Sequence, residues 1–168
     1  MSIERTVAKF FQMSDAVWER HANPWSVWTR YICLPLLALA VWSRVSIGWM
    51  SVVPIALVCF WIWLNPRVFA RPSTTDHWAS KAVLGERVLL RHRRSELPVH
   101  HIQAIRILNL ITFAGFLVAI HGLVYLDAKL AVFGTMVTML GKTWFLDRMV
   151  WLYQDMSSRN DEYLDDMS

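Results

Sequence analysis

Two apolar stretches decide the fold: ILNLITFAGFLVAIHGLVYL at residues 107–126 and LAVFGTMVTMLGKTWFLDRMVWL at residues 130–152. Only Asp127, Ala128 and Lys129 separate them. A helix rises 1.5 Å per residue, so about 20 residues are needed to cross the roughly 30 Å hydrocarbon core of a bilayer. Both stretches reach that length.

Two further apolar stretches, at residues 25–43 and 47–64, come earlier in the chain. The connection within each pair of stretches is so short that the paired helices must run antiparallel. The pattern predicts an all-α fold, an integral membrane four-helix bundle built from two helical hairpins. We expect it to form one membrane domain over residues 1–168, without a separate soluble module.

The segments outside the four stretches have their own patterns. Residues 1–23 predict an amphipathic interfacial helix, since apolar and charged residues alternate there with helical spacing. Residues 66–105 predict a cytoplasmic loop that contains an interfacial helix at about 77–92, with Trp78, Ala82 and Val83 toward the membrane. Residues 155–168 form an acidic tail.

The basic residues predict the orientation. Three precede residue 25, and eight lie between residues 65 and 107, whereas the opposite side carries only Arg44 and Lys129. Lysine and arginine accumulate on the cytoplasmic side of membrane proteins. We therefore expect a multi-pass protein of the cell inner membrane with both termini in the cytoplasm. This placement also explains the basic balance of the chain, so we expect no nucleic-acid partner.

Small residues recur on the last two stretches. Gly115, Ala119 and Gly122 fall on one face of the third, while Gly134 and Gly141 are seven residues apart on the fourth. Small side chains let helix backbones approach closely within a membrane. Pro35 and Pro54 lie in the first two stretches, where they could kink a helix or relieve packing.

Polar residues collect at the cytoplasmic end of all four stretches. Counted from residue 130, Lys142 lies about 18 Å and Asp147 about 25 Å along the fourth helix. Charges at membrane depth are costly unless they pair, reach the headgroups or serve a function. Arg30 or Lys142 could neutralise Asp147, and a salt-bridge network that only fixes packing is the alternative to a binding site. The candidate ligand-binding residues are His21, Asn23, Trp28, Arg30, Asn65, Arg67, Glu86, Arg87, Asn109, Lys142, Trp144, Asp147 and Arg148.

The ten tryptophans are distributed unevenly. By the predicted topology only Trp42 and Trp49 belong to the outer half, and the others lie toward the cytoplasm. An aromatic belt with core packing explains part of this. A pocket in which arginines bind an anionic head and indoles hold an apolar body is the alternative.

The histidines predict no metal site. No pair has the i, i+4 spacing that places two imidazoles on one helix face, and adjacent His100 and His101 are expected to point apart. Cys33 and Cys59 lie inside apolar stretches, which argues against a disulfide framework. Phosphate-loop, nucleophile-elbow and histidine-box signatures are absent from the sequence, so no catalytic residue or cofactor can be assigned.

The function predicted best is binding, or binding and modifying, an anionic amphiphile such as a lipid, an isoprenoid or a quinone at the cytoplasmic leaflet. The expected partners are membrane lipids, with a second copy of the chain or a partner membrane subunit as further possibilities. Two other classes stay open: a structural or assembly subunit of a membrane complex, and a small transporter or channel that acts as an oligomer.

Four strings carry a resemblance: HANPWSVWTR at 21–30, NPRVF at 65–69, WASKAVLGER at 78–87 and WFLDRMVW at 144–151. With them the chain resembles an uncharacterised family of small prokaryotic membrane proteins. The resemblance implies a four-helix membrane fold and no established activity. It assigns no role to any residue.

Overall fold

The computed structural model describes residues 15–92 and 95–165, and their side chains over residues 17–92 and 95–159. Regular structure in these ranges is entirely helical, as the sequence predicts. A 3₁₀ turn, Gly48–Ser51, interrupts the α-helices. The α-helices are α1 (Asp15–His21), α2 (Pro24–Tyr31), α3 (Cys33–Trp42), α4 (Arg44–Ile47), α5 (Val52–Val68), α6 (Trp78–Arg91), α7 (Val99–Tyr125) and α8 (Ala128–Asp165).

Helices α7 and α8 form a tight antiparallel hairpin. Leu126 ends α7 in the left-handed conformation with φ 58°, and its N–H donates to the carbonyl of Gly122. Asp127 then accepts a hydrogen bond at Oδ1 from Leu130 N over 3.1 Å. A short polar side chain that bonds the first free N–H groups is a favourable start for a helix. The three residues between the stretches therefore reverse the chain.

Glycines bring the backbones of α7 and α8 into contact. A Cβ added at Gly134 would lie 2.7 Å from Ala119 Cα, and one at Gly122 would lie 2.7 Å from Ala131 Cα. At Gly115 it would lie 2.7 Å from Thr138 N. No side chain fits in that space, so this face of small residues is what permits the close packing that the sequence indicates.

The first hairpin differs in detail from the sequence prediction. The stretch at 25–43 is not one helix, because α2 ends at Tyr31 and α3 begins at Cys33, with Ile32 between them. Pro35 explains the break, because it removes the N–H that would bond the carbonyl of Tyr31. Pro35 and Pro54 are each the third residue of a helix, α3 and α5, where a missing N–H costs little. Neither proline kinks a helix interior.

Helix α6 occupies the middle of the long loop, where the sequence predicts a helix at 77–92. Its apolar face does not point away from the protein. Ala82 and Val83 are fully or almost fully buried, and Gly85 packs on the backbone of Met149 in α8. The difference arises because α6 packs between residues 145–152 of α8 on one side and Ala22 and Val27 on the other.

The structure describes part of each end of the chain. Of the predicted interfacial helix at 1–23, residues 15–21 form α1 and the earlier residues lie outside the described ranges. Residues 155–165 of the acidic tail are continuous with the fourth apolar stretch, since α8 runs unbroken to Asp165. Arg93 and Arg94 also lie outside the described ranges.

Two helical stretches, Pro24–Val68 and Val99–Tyr125, are long and apolar enough to cross a membrane by length and composition. The first is the folded segment from α2 to α5, and the second is α7. Little of either is buried within the protein: apolar side chains such as Leu39, Leu57 and Leu110 are about two-thirds exposed. The outer surface of these helices is therefore apolar.

Candidate functional site

A chain of hydrogen bonds links α2 and α5 at one end of the protein. The Ser26 hydroxyl donates to Asn65 Oδ1 over 2.7 Å, and Asn65 Nδ2 donates to Thr29 Oγ1 over 2.7 Å. The Thr29 hydroxyl donates in turn to the carbonyl of Trp25 over 2.6 Å. Ser26 and Asn65 are completely buried. Because Ser26 and Thr29 are three residues apart, they share the face of α2 that meets α5.

His21 extends this chain to a guanidinium group. Its Nε2 is hydrogen-bonded to Arg30 Nη2, and its Nδ1 lies 3.5 Å from Ser26 Oγ. An arginine has no acceptor, so Nε2 must carry the lone pair and Nδ1 the proton. Burial, followed by the positive charges of Arg30 and Lys142, holds the pKa of His21 well below its ordinary value of 6.5. His21 is therefore a neutral, fully buried acceptor for Arg30.

Arg30 is a half-buried cation without a carboxylate partner. Among the described residues, its hydrogen-bond partner is His21, and no Asp or Glu oxygen lies within 4 Å of it. A neutral imidazole satisfies one N–H of a guanidinium group and does not neutralise its charge. The carboxylate of Glu86 acts on Arg30 through space, but it is paired with Lys142. The charge of Arg30 is thus available to an anion.

A second cation lies beside this network on α8. Lys142 Nζ donates to Glu86 Oε1 of α6 over 2.8 Å, and it lies 4.4 Å from the centre of the Phe145 ring. The Lys142 side chain is 47% exposed, whereas that of Glu86 is 18% exposed. The ion pair therefore joins α6 to α8, and the ammonium group remains accessible from outside.

The carboxylate of Asp147 accepts a hydrogen bond from the indole of a tryptophan. Trp78 Nε1 donates to Asp147 Oδ1 over 3.1 Å, and the Trp78 ring stacks on Trp28 with 5.8 Å between the ring centres. Neither Arg30 nor Lys142 forms an ion pair with Asp147. Both pairings that the sequence suggests for this carboxylate are therefore replaced by a hydrogen bond from a tryptophan.

Asn23 connects the same region to the segment after α5, and Arg67 lies at the end of α5 itself. Asn23 caps α2, accepting from Trp25 N over 2.9 Å, and donates from Nδ2 to the carbonyl of Ala70 over 3.0 Å. The Arg67 guanidinium lies 4.3 Å from the centre of the Trp63 ring and bonds the carbonyl of that residue. These contacts fix the edge of the site.

The candidate residues from the sequence divide into two groups. The structure brings His21, Arg30 and Asn65 into one network, with the Glu86–Lys142 and Trp28–Trp78–Asp147 contacts on neighbouring helices. The others are peripheral: Asn109 and Trp144 are exposed, Arg148 covers its neighbour Trp151 at 4.9 Å, and Arg87 is half-buried on α6.

Three members of the site do not stand out in the sequence: Ser26, Thr29 and Trp78. Ser26, Thr29 and Arg30 follow the i, i+3, i+4 spacing of one helix face, and this signal could have identified the first two. The role of Trp78 depends on how α6 packs on α8, which no local pattern predicts.

The comparisons with known proteins give one match. A family model described as "Family of unknown function (DUF6653)" matches residues 2–166. No curated protein and no solved structure matches the chain. The family model covers nearly the whole sequence, including the four strings that carry the resemblance. The chain therefore belongs to the family of unknown function DUF6653.

Proposed function

We propose that this chain is a multi-pass protein of the inner membrane that binds an anionic amphiphile at the cytoplasmic leaflet. The four spans of the proposed membrane bundle are α2 with α3, then α5, α7 and the first part of α8. The apolar, largely exposed outer faces of these helices support this arrangement, because in water so much exposed apolar surface would be unfavourable. In a bilayer the acyl chains cover it.

The basic residues support the orientation. The segment between α5 and α7 carries six of the 17 lysines and arginines, whereas Arg44 and Lys129 are the two on the opposite side. The segment that holds α6 is therefore cytoplasmic, and so are the N- and C-termini. In this orientation the polar network and the Glu86–Lys142 pair lie near the cytoplasmic headgroups.

The observation that carries the ligand proposal is that Arg30 and Lys142 share a single carboxylate, Glu86. With His21 neutral, Arg30 and Lys142 contribute two positive charges and Glu86 contributes one negative charge. A phosphate or carboxylate headgroup would supply the missing negative charge. Guanidinium and ammonium groups bind such anions through charge-assisted hydrogen bonds.

Exposed indoles near this charge suit the apolar body of the ligand. Trp25 and Trp28 on α2, the helix that carries Arg30, are 70% and 45% exposed. Tryptophan favours the boundary between headgroups and acyl chains, because its ring is apolar and its N–H is polar. The combination of a cation and flat apolar rings favours an amphiphile over a small soluble anion.

Lipid analysis of the purified protein tests this proposal. The full chain is extracted in mild detergent, and the bound lipids are identified and quantified by mass spectrometry. We expect anionic lipid to co-purify with the wild type and to fall several-fold in Arg30→Gln and Lys142→Gln. Lys129→Gln removes a charge at the opposite end of α8 and serves as the control.

Two further measurements make the outcome decisive. Circular dichroism shows whether each variant keeps its helices, and Lys142→Gln changes a side chain that is 47% exposed. Mixed micelles of phosphatidylglycerol or phosphatidylcholine, titrated into delipidated protein, report the preference for an anionic head. Equal lipid content in the folded variants and the wild type, or equal binding of both phospholipids, would refute the proposal.

A further inference from the structure

We propose that His100, His101 and Asp155 bind a divalent transition-metal ion of the zinc class. This site lies at the start of α7 and on the later part of α8, outside the network around Arg30. One ligand nitrogen from each histidine and one carboxylate oxygen of Asp155 all lie within 4.8 Å of one another. The inference does not depend on the proposed lipid site.

The two histidines converge although they are adjacent in the sequence. Their ring centres are 4.3 Å apart, with 39° between the ring planes. Side chains of successive helix residues leave the axis about 100° apart. Here α8 passes beside the first turn of α7, and both Nε2 atoms turn toward Asp155. The expectation that these histidines point apart is therefore wrong. The reason drawn from the sequence against a metal site at this position no longer applies.

The donor atoms are close to the spacing that a metal ion requires. His101 Nε2 lies 2.7 Å and His100 Nε2 lies 3.7 Å from Asp155 Oδ2. Zinc holds nitrogen and oxygen ligands at about 2.0–2.2 Å, which places two ligands of a tetrahedral site about 3.4 Å apart. Binding of an ion would therefore lengthen the first distance and shorten the second by well under 1 Å. It would also bring the two imidazole nitrogens, which lie within 4.8 Å of each other, to this spacing.

The surroundings combine a fixed ligand with two accessible ones. The His101 side chain is fully buried, so packing holds its ring in place. The side chains of His100 and Asp155 are 62% and 48% exposed, so an ion can enter from solvent and adjust them. Two imidazoles and one carboxylate are a donor set that suits Zn²⁺ and other borderline divalent ions, and a water would complete the coordination.

Zn²⁺ binding to the full chain tests the site. The protein is purified in mild detergent with any polyhistidine tag removed, because a tag would bind the same ions. It is stripped with a chelator and titrated with Zn²⁺ against a chromophoric competitor, and bound metal is counted by elemental mass spectrometry. We expect one Zn²⁺ per chain.

Variants of the accessible ligands decide the assignment. We expect His100→Gln and Asp155→Asn to weaken Zn²⁺ binding by at least about tenfold. The matched control, His121→Gln, replaces an exposed histidine at the far end of α7 and should bind as the wild type does. Zn²⁺ should also raise the unfolding temperature of the wild type and the control, and raise it less in the two ligand variants.

Two results would overturn the inference. One is a wild-type chain that binds no Zn²⁺ at micromolar concentration. The other is a loss of binding in His121→Gln as large as that in His100→Gln. Because His100 is largely exposed, its replacement leaves the fold intact and the comparison interpretable.

Discussion

Gly85 of α6 lies directly against the main chain of Met149 in α8. A Cβ at position 85 would lie 2.6 Å from the Met149 carbonyl carbon and nearer still to its oxygen. Because Met149 is completely buried, its backbone cannot move aside without disturbing the core formed by α6, α7 and α8. This contact holds the helix that carries Glu86 against the helix that carries Lys142.

We therefore expect Gly85→Ala to lower the free energy of unfolding by about 2 kcal/mol or more, as overpacking of a buried contact does. Gly141→Ala is the comparison, since its added Cβ would first meet a side-chain atom, the Thr112 hydroxyl, and a main-chain nitrogen only at 3.1 Å. Denaturant titration in mild detergent measures both changes. Equal costs, or a larger cost at Gly141, would contradict this account of the packing.

The buried amide of Asn65 provides a second prediction. Asn65→Ala removes the acceptor of the Ser26 hydroxyl and the donor to Thr29, so it leaves buried polar groups unpaired. We expect the free energy of unfolding to fall by about 2 kcal/mol or more. Asn109→Ala changes an exposed asparagine and should alter stability by less than about 0.5 kcal/mol. Similar effects of the two substitutions would show that the network does not stabilise the fold.

The lowered pKa of His21 predicts a pH dependence of stability. Below pH 6.5 the unfolded chain protonates this imidazole, whereas the folded chain keeps it neutral. The unfolded state then binds more protons, so stability falls as the pH drops below 6.5 and is fully present above it. The slope contributed by His21 is at most about 1.4 kcal/mol per pH unit.

Replacement of His21 isolates this effect from the other histidines. The groups that act on it are Arg30 of α2 and Lys142 of α8, which is paired with Glu86 of α6. In His21→Gln the side-chain oxygen can still accept from Arg30 but does not titrate in this range. Unfolding midpoints at pH 5 and pH 7.5 should differ more in the wild type than in the variant. Equal differences would mean that His21 is not the titrating group.

Reporter fusions test the proposed topology. Alkaline phosphatase is active only outside the cytoplasm, so we expect no activity after Thr75, which lies in the loop before α6, and activity after Asp127, which lies between α7 and α8. A fluorescent protein at the C-terminus, which folds in the cytoplasm, should fluoresce. Phosphatase activity at Thr75 would place the basic loop outside and remove the orientation on which the lipid proposal depends.

Length and hydropathy predict much of the helical layout from the sequence. Asp127 to Lys129 mark the reversal between α7 and α8, and the glycines mark where their backbones meet. The pairing of side chains is less predictable, because it depends on contacts between distant helices. The sequence does not show that Trp78 reaches Asp147, or that the extension of α8 places Asp155 beside His100 and His101. The first contact depends on how α6 packs on α8, and the second on the continuation of α8 past residue 152.

The hydrogen bonds from Arg30 through His21, Ser26, Asn65 and Thr29 to the carbonyl of Trp25 all run in one direction. A guanidinium group can only donate and a carbonyl can only accept, so both terminal members set the orientation of every hydroxyl between them. Reversing that orientation would require an end member to exchange a proton, which neither can do at neutral pH. This chain of hydrogen bonds therefore cannot conduct protons through the protein. It acts as a rigid electrostatic support that keeps a permanent charge at Arg30.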